Sequence, residues 1–171
     1  AGGPMKPART LGIFAPGSPP AAGPLEAGLA RLREAGFGIR LGRTAVAAEG
    51  LHAGTPEARA ADLHELLADP GVDAILCARG GSGALGLLPL LDYALAARAG
   101  KPLIGLSDVT ALHLALLARS GRPGVAAPVL TQLASLPDYS WERWLEAAAG
   151  PLPAGPVPLP AGLAPRRLEG T

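Results

Sequence analysis

Asp73-Ala74-Ile75-Leu76-Cys77-Ala78-Arg79-Gly80-Gly81-Ser82-Gly83 is a short apolar run that ends in a cluster of glycines. Lys101-Pro102-Leu103-Ile104-Gly105-Leu106-Ser107-Asp108-Val109-Thr110 repeats the plan, with apolar residues followed by a polar bend. Neither run alternates apolar with polar residues, as strands covered on both faces do not. Between them residues 91–99 have helical spacing, and Gly100-Lys101-Pro102 turns the chain back. Strand, helix, strand is a βαβ unit. It sets the expected fold class: α/β, a mostly parallel sheet with helices on both faces, a flavodoxin- or Rossmann-like three-layer domain.

The same alternation extends outward. Leu11-Gly12-Ile13-Phe14-Ala15 reads as a first strand, stopped by Pro16-Gly17-Ser18-Pro19-Pro20. A helix follows over 24–35, with Leu25, Leu29 and Leu32 on one face and Gly36 as its stop. Residues 37–41 form a second strand candidate. Thr55-Pro56-Glu57 opens a second helix, with Thr as N-cap, Pro in the first turn and an acid at the positive end of the dipole. Leu63, Leu66 and Leu67 give that helix an apolar face, and Asp69-Pro70-Gly71 closes it. A short helical stretch starts at Ala84. Ser107-Asp108 opens a helix to about Arg119, with Leu112, Ala115 and Leu116 inward. Val125-Ala126 reads as a short fifth strand, and 141–148 as a last helix capped by Ser140 or Asp138.

Composition bounds the function classes. The 171 residues include 24 Gly and 19 Pro, a quarter of the chain, which is where low-complexity sequences begin. Against disorder stand 49% hydrophobic residues, 17% charged residues and a net charge of +1. The excess also sits at the ends, with 11 Gly or Pro in residues 1–24 and 9 in 151–171. Residues 1–10 therefore read as a tail and 11–150 as one domain with a real core. Residues 151–171 read as a Pro-rich, semi-rigid linker toward a further domain. Fifteen basic residues against fourteen acidic ones leave no electrostatic footprint for nucleic acid. No run of eighteen apolar residues suggests a membrane span, and the short apolar stretch after Lys6 and Arg9 is not a leader pattern. A single cysteine excludes an intrachain disulfide and fits a reducing cytoplasm.

Ligand sites in such sheets lie beyond the carboxyl ends of the strands. Gly81-Ser82-Gly83-Ala84-Leu85-Gly86 matches G-x-G-x-x-G after a predicted strand, and Asp108 lies 22 positions further on, where a ribose-binding acid would sit. This supports a dinucleotide-binding module using Gly81, Gly83, Gly86 and Asp108. Pro89 and the position after the third strand count against it. Gly105-Leu106-Ser107-Asp108-Val109 is a strand-to-helix junction with serine at the bend. That is the place of a nucleophile elbow, with Val109 where the last glycine would be. The plainer reading is that Ser107 caps a helix and Asp108 suits its dipole. The two loops end neighbouring strands, so glycine-loop amides beside a bent serine would make an oxyanion hole beside a nucleophile.

These residues resemble the LD-carboxypeptidase family of serine peptidases. The resemblance rests on Ala78-Arg79-Gly80-Gly81-x-Gly83, Leu87-Leu88, Leu91-Asp92 and the stretch from Lys101 to Leu112. Ala15-Pro16-Gly17-Ser18 and Ala53-Gly54-Thr55-Pro56-Glu57-x-Arg59 support it. It implies that Ser107 is the nucleophile and that the backbone N–H groups of Gly81 and Asp108 form the oxyanion hole. It also implies a base His held by a Glu in a C-terminal domain, no metal or other cofactor, and a homodimer. The implied reaction is hydrolysis of an L,D-peptide bond, releasing terminal D-alanine from a cytoplasmic murein tetrapeptide in cell-wall recycling. A related branch cleaves an antibiotic peptide–nucleotide conjugate. Ser82 stands where murein-cleaving members usually carry an aromatic residue, and Ala127-Pro128 where Gly-Pro is usual. Both bear on the substrate. Members are roughly twice this long, so the chain is expected to be the N-terminal, nucleophile-bearing part and to be inactive alone.

Within this chain, His52, His64 and His113 are the candidate bases, and none has a spacing that argues for a triad. Cys77 reads as a buried apolar residue, and Trp141 with Trp144 as a packing edge or domain contact. A third, non-catalytic reading is a degenerate member kept for binding or assembly.

Overall fold

Five strands form one parallel sheet in the computed structural model, which describes residues 9–149. β1 (Thr10–Phe14), β2 (Gly38–Leu41), β3 (Ala74–Cys77), β4 (Leu103–Gly105) and β5 (Val125–Ala126) lie in the order β2-β1-β3-β4-β5. Leu11 is paired with both Ile39 and Ala74, Ile75 with Leu103, and Ile104 with Val125. The strand order reverses between β1 and β3, and the carboxyl ends there border the crevice in which doubly wound sheets bind ligands. The expected fold class is the observed one.

Among the described residues six α-helices cover the two faces: α1 (Ala22–Glu34), α2 (Pro56–Ala68), α3 (Tyr93–Ala99), α4 (Thr110–Ser120), α5 (Leu130–Leu133) and α6 (Asp138–Ala149). Leu25, Leu29, Leu130, Leu133 and Trp144 pack with Ile13 and Leu76 on one side. Leu63, Leu66, Ala96, Leu112 and Leu116 pack with Phe14, Ile75 and Cys77 on the other. Successive strand residues thus serve opposite cores, which explains the unbroken apolar runs.

Local chemistry sets the boundaries. The Thr55 side chain accepts from the Ala58 amide at 3.2 Å and starts α2, with Pro56 in its first turn. The Asp92 side chain accepts from the Leu95 amide at 2.8 Å, so α3 starts at Tyr93, inside the expected 91–99. α6 starts at Asp138, most of a turn before 141. Two short elements carry no periodic signal: α5 and a 3₁₀ turn at Arg43–Ala45. Gly28 faces α5, where a side chain would begin 2.3 Å from the Leu130 carbonyl oxygen.

The tryptophan pair is a packing edge. Trp144 is buried, its Nε1 donates to the Pro128 carbonyl at 2.9 Å, and it stacks on Trp141 with ring centroids 5.4 Å apart. Cys77 is buried inside β3, and burial pushes its thiol pKa up, so it is no nucleophile. Arg9, just before β1, donates to the carbonyl of Ala148 near the end of α6. The expected linker 151–171 lies outside the described residues, and so does most of the expected tail 1–10.

Candidate active site

Three loops meet at the carboxyl ends of β1, β3 and β4. The β4 loop carries the strained residue. Ser107 has φ +64°, the only positive φ of a non-glycine residue in the described fold. A side chain in that region costs roughly 1–2 kcal/mol, which persists only where the surroundings over-determine it. Gly105 explains how the turn closes. A side chain there would begin 3.0 Å from both Val109 methyls, so the following helical turn folds back directly onto the strand. Val109 is fully buried in that contact, where an elbow of the G-x-S-x-G type carries its last glycine. Ser107 itself is exposed at the top of the sheet.

The glycine loop after β3 lies against it. A side chain at Gly80 would begin 3.2 Å from Ser107 Cβ and 3.6 Å from its Oγ. Gly81 and Gly83 have φ +113° and +116°, conformations that glycine alone adopts cheaply. At Gly81 a side chain would also begin 2.4 Å from Ser18 Oγ, which ties this loop to the one after β1. Ser18 Oγ accepts from the Ser82 amide at 3.3 Å. Among the described residues the amides of Gly81 and Asp108 have no acceptor. The loops after β3 and β4 thus pack against each other where Gly80 meets Ser107.

The dinucleotide reading of the same glycines does not survive the geometry. Ala84–Leu90 is a 3₁₀ helix with Pro89 inside it, so no α-helix follows Gly83 to meet a pyrophosphate. Asp108 already has a structural partner. Its Oδ2 accepts from the Ala84 amide at 2.9 Å and closes the glycine loop.

Two histidines are committed elsewhere. His64 Nε2 accepts from the Asp92 amide at 2.9 Å. His113 Nε2 is 3.1 Å from the Leu103 carbonyl, and burial holds its pKa below 6.5. His52 stands over Gly83, in a pocket of about 430 Å³ also lined by Glu49, Thr55, Arg59 and Gly86 but not by Ser107. Among the described residues no group of three or more His, Cys, Asp or Glu is arranged to hold a metal ion.

The sequence reading gave Arg59 no role. It is 2% exposed on α2, and burial lowers its pKa against the opposing fields of Asp108 and Glu57. Nearby, the buried Asp62 accepts from the amides of Arg43 at 3.0 Å and Thr44 at 2.9 Å, and from the Thr44 hydroxyl. Thr44 Oγ1 accepts in turn from the Ala15 amide at 3.1 Å, fixing the end of β1. One signal was present in the sequence: Arg59 and Asp62 precede Leu63 and Leu66 by four residues each, so both charges share the inward face of α2.

The family described as LD-carboxypeptidase N-terminal domain matches residues 11–127. The chain belongs to this family. It is 36% identical over 129 residues to a probable murein peptide carboxypeptidase of Bacillus subtilis, covering 75% of this chain and 40% of that one. It is 41% identical over 128 residues to the murein tetrapeptide carboxypeptidase of Pseudomonas aeruginosa, covering 74% and 41%. Among solved structures, a MccF-like protein from Bacillus anthracis superposes with a TM-score of 0.79 at 27% identity, covering 84% of this chain and 45% of that one. The chain thus spans about 40% of the length of the curated relatives it matches. Among the described residues no helix is long and apolar enough to cross a membrane.

Proposed function

We propose that this chain supplies the nucleophile half of a cytoplasmic serine-type LD-carboxypeptidase. The complete enzyme, a homodimer, would release terminal D-alanine from a murein tetrapeptide in cell-wall recycling. The observation that carries the reading is Ser107: an exposed hydroxyl at φ +64° on a strand-to-helix bend, packed against the glycine loop. Ser107 Oγ attacks the carbonyl of the L,D-peptide bond. The carbonyl oxygen becomes an oxyanion that the amides of Gly81 and Asp108 receive as donors. Collapse of the tetrahedral intermediate expels the D-alanine amine, and water then hydrolyses the acyl-enzyme.

A serine hydroxyl needs a base, and the three histidines of this chain do not supply one. His64 and His113 are hydrogen-bonded to the backbone, and His52 lines a pocket that Ser107 does not. The base therefore comes from outside residues 9–149. The family resemblance points to a His–Glu pair in a C-terminal domain.

The test uses two measurements on the 171-residue chain. A peptidyl boronic acid, which adds to a serine hydroxyl at equilibrium with the proton going to solvent, should form a tetrahedral adduct at Ser107, seen by boron NMR and lost in Ser107→Ala, while release of D-alanine from murein tetrapeptide stays at background. An adduct that persists in Ser107→Ala overturns the nucleophile assignment. Turnover abolished by Ser107→Ala would instead place the base within this chain.

A further inference from the structure

Arg59 is a buried cation with no carboxylate in ion-pair contact among the described residues. Its guanidinium donates to carbonyls in three different loops. Nε reaches Gly54 O at 3.0 Å, Nη1 reaches Gly83 O at 3.0 Å, and Nη1 also donates to Pro16 O. These are the loop before α2, the glycine loop and the loop after β1.

The Gly83 contact continues further. The peptide that begins with the Gly83 carbonyl ends with the Ala84 amide, and that amide donates to Asp108 Oδ2 at 2.9 Å. A single peptide is thus strung between a cation and an anion, its carbonyl toward Arg59 and its N–H toward Asp108. Both ends of its dipole are favourably placed, and a bond to a charged group is roughly twice as strong as a neutral one. Gly17 closes the joint. A side chain there would begin 2.5 Å from Ser82 O and 3.0 Å from Asp108 Oδ2. Asp108 adjoins Ser107 in the chain, and its own amide is one of the two donors without an acceptor.

We propose that Arg59 and Asp108 form one positioning unit. Acting through the Gly83–Ala84 peptide, it fixes the amides of Gly81 and Asp108 at the separation a tetrahedral oxyanion needs. The proposal rests on the reading of Ser107 as nucleophile. Arg59 touches no reacting atom. Its effect appears where the oxyanion is formed, and a purely structural clamp would weaken every ligand alike. Loss of one oxyanion donor costs about 10²–10³-fold, and a displaced group can cost about 10²-fold.

The test compares a tetrahedral mimic with an intact peptide on the 171-residue chain. The mimic is a peptidyl α-aminoboronic acid with boron in place of the scissile carbonyl carbon. Ser107 Oγ bonds to the trigonal boron, its proton goes to solvent, and an anionic tetrahedral boronate results. The comparator is murein tetrapeptide, measured in the Ser107→Ala background so that nothing turns over. Dissociation constants by calorimetry should show Arg59→Met and Asp108→Ala each weakening the boronate by about 10–100-fold. The tetrapeptide should change by less than about threefold. The double variant should fall well short of the product of the two single losses, because both residues act through one peptide. Asp108→Asn, which keeps an acceptor for the Ala84 amide, should recover most of the loss.

Equal losses on the two ligands, no loss on the boronate, or a double variant equal to the product overturns the positioning unit. If Arg59→Met does not fold by circular dichroism, Asp108→Ala against Asp108→Asn decides: no recovery in Asn overturns it. Boronate binding that is absent, or that survives in Ser107→Ala, overturns the nucleophile reading and this proposal with it.

Discussion

At Ser107 the backbone and the side chain make opposite demands. The turn asks for glycine, since φ is +64°, and the proposed chemistry asks for a hydroxyl. The two can be separated by mutation. Ser107→Gly relieves the left-handed strain, whereas Ser107→Ala removes the hydroxyl and keeps it. The glycine variant should be the more stable by about 1 kcal/mol in urea unfolding, even after the entropy glycine adds to the unfolded chain. Equal stability, or a more stable alanine variant, would show that the bend is not strained. Ser107 and Gly81 were legible in the sequence because both lie where a buried strand stops at a special turn. Arg59 was not. A charged residue on a helix ordinarily faces water. Its spacing to Leu63 puts it on the inward face of α2, but the carbonyls that hold it there come together only when the loops after β1 and β3 meet over the start of α2.

Elements whose signal is local matched their sequence reading closely. Thr55-Pro56 starts α2 because capping needs only neighbouring atoms. The fully apolar stretches of β3 and β4 reported sheet burial directly. What escaped was set by tertiary contact. α5 is four residues long, too short for any periodicity, and it exists against α1. Gly28 records that contact, with the Leu130 carbonyl oxygen 2.3 Å from where a side chain would begin. In an isolated helix Gly28→Ala would gain up to about 1 kcal/mol. Here it should destabilise the protein by about 1–3 kcal/mol, because α1 and α5 must separate. A urea midpoint that rises in Gly28→Ala would show that the two helices have slack between them. The early start of α6 has a related cause. The Trp141 amide donates to the Pro137 carbonyl at 2.9 Å and closes a turn that starts at Asp138, and Trp141 is held in turn by stacking on the buried Trp144.

For the molecule as a whole, a half-buried histidine couples stability to acid. His113 is half-buried against Gly124 and the Leu103 carbonyl, with its pKa below 6.5. As pH falls below 6.5, the unfolded chain takes up a proton that the folded chain does not. The contribution is therefore fully present above 6.5 and lost as pH falls through the window between the ordinary and the depressed value. His113→Gln lacks this term. The stability of the native protein relative to His113→Gln should decline between pH 7.5 and pH 5 in paired urea titrations, and a constant difference would exclude the effect. The sheet order, by contrast, could not be read from the sequence. Parallel strands fix their neighbours through long-range pairing, and nothing in Leu11-Gly12-Ile13-Phe14 states that β3 pairs beside it while β2 takes the opposite edge.

The contact between Arg9 and the Ala148 carbonyl has a geometric consequence. It places the end of α6 beside the start of β1, at the amino-terminal pole of the sheet, whereas Ser107 stands at the carboxyl-terminal pole. The height between the poles is that of β1, about 15 Å at 3.3 Å per residue. Whatever group takes the proton from Ser107 therefore has to act at the pole opposite to the one where Arg9 and Ala148 meet.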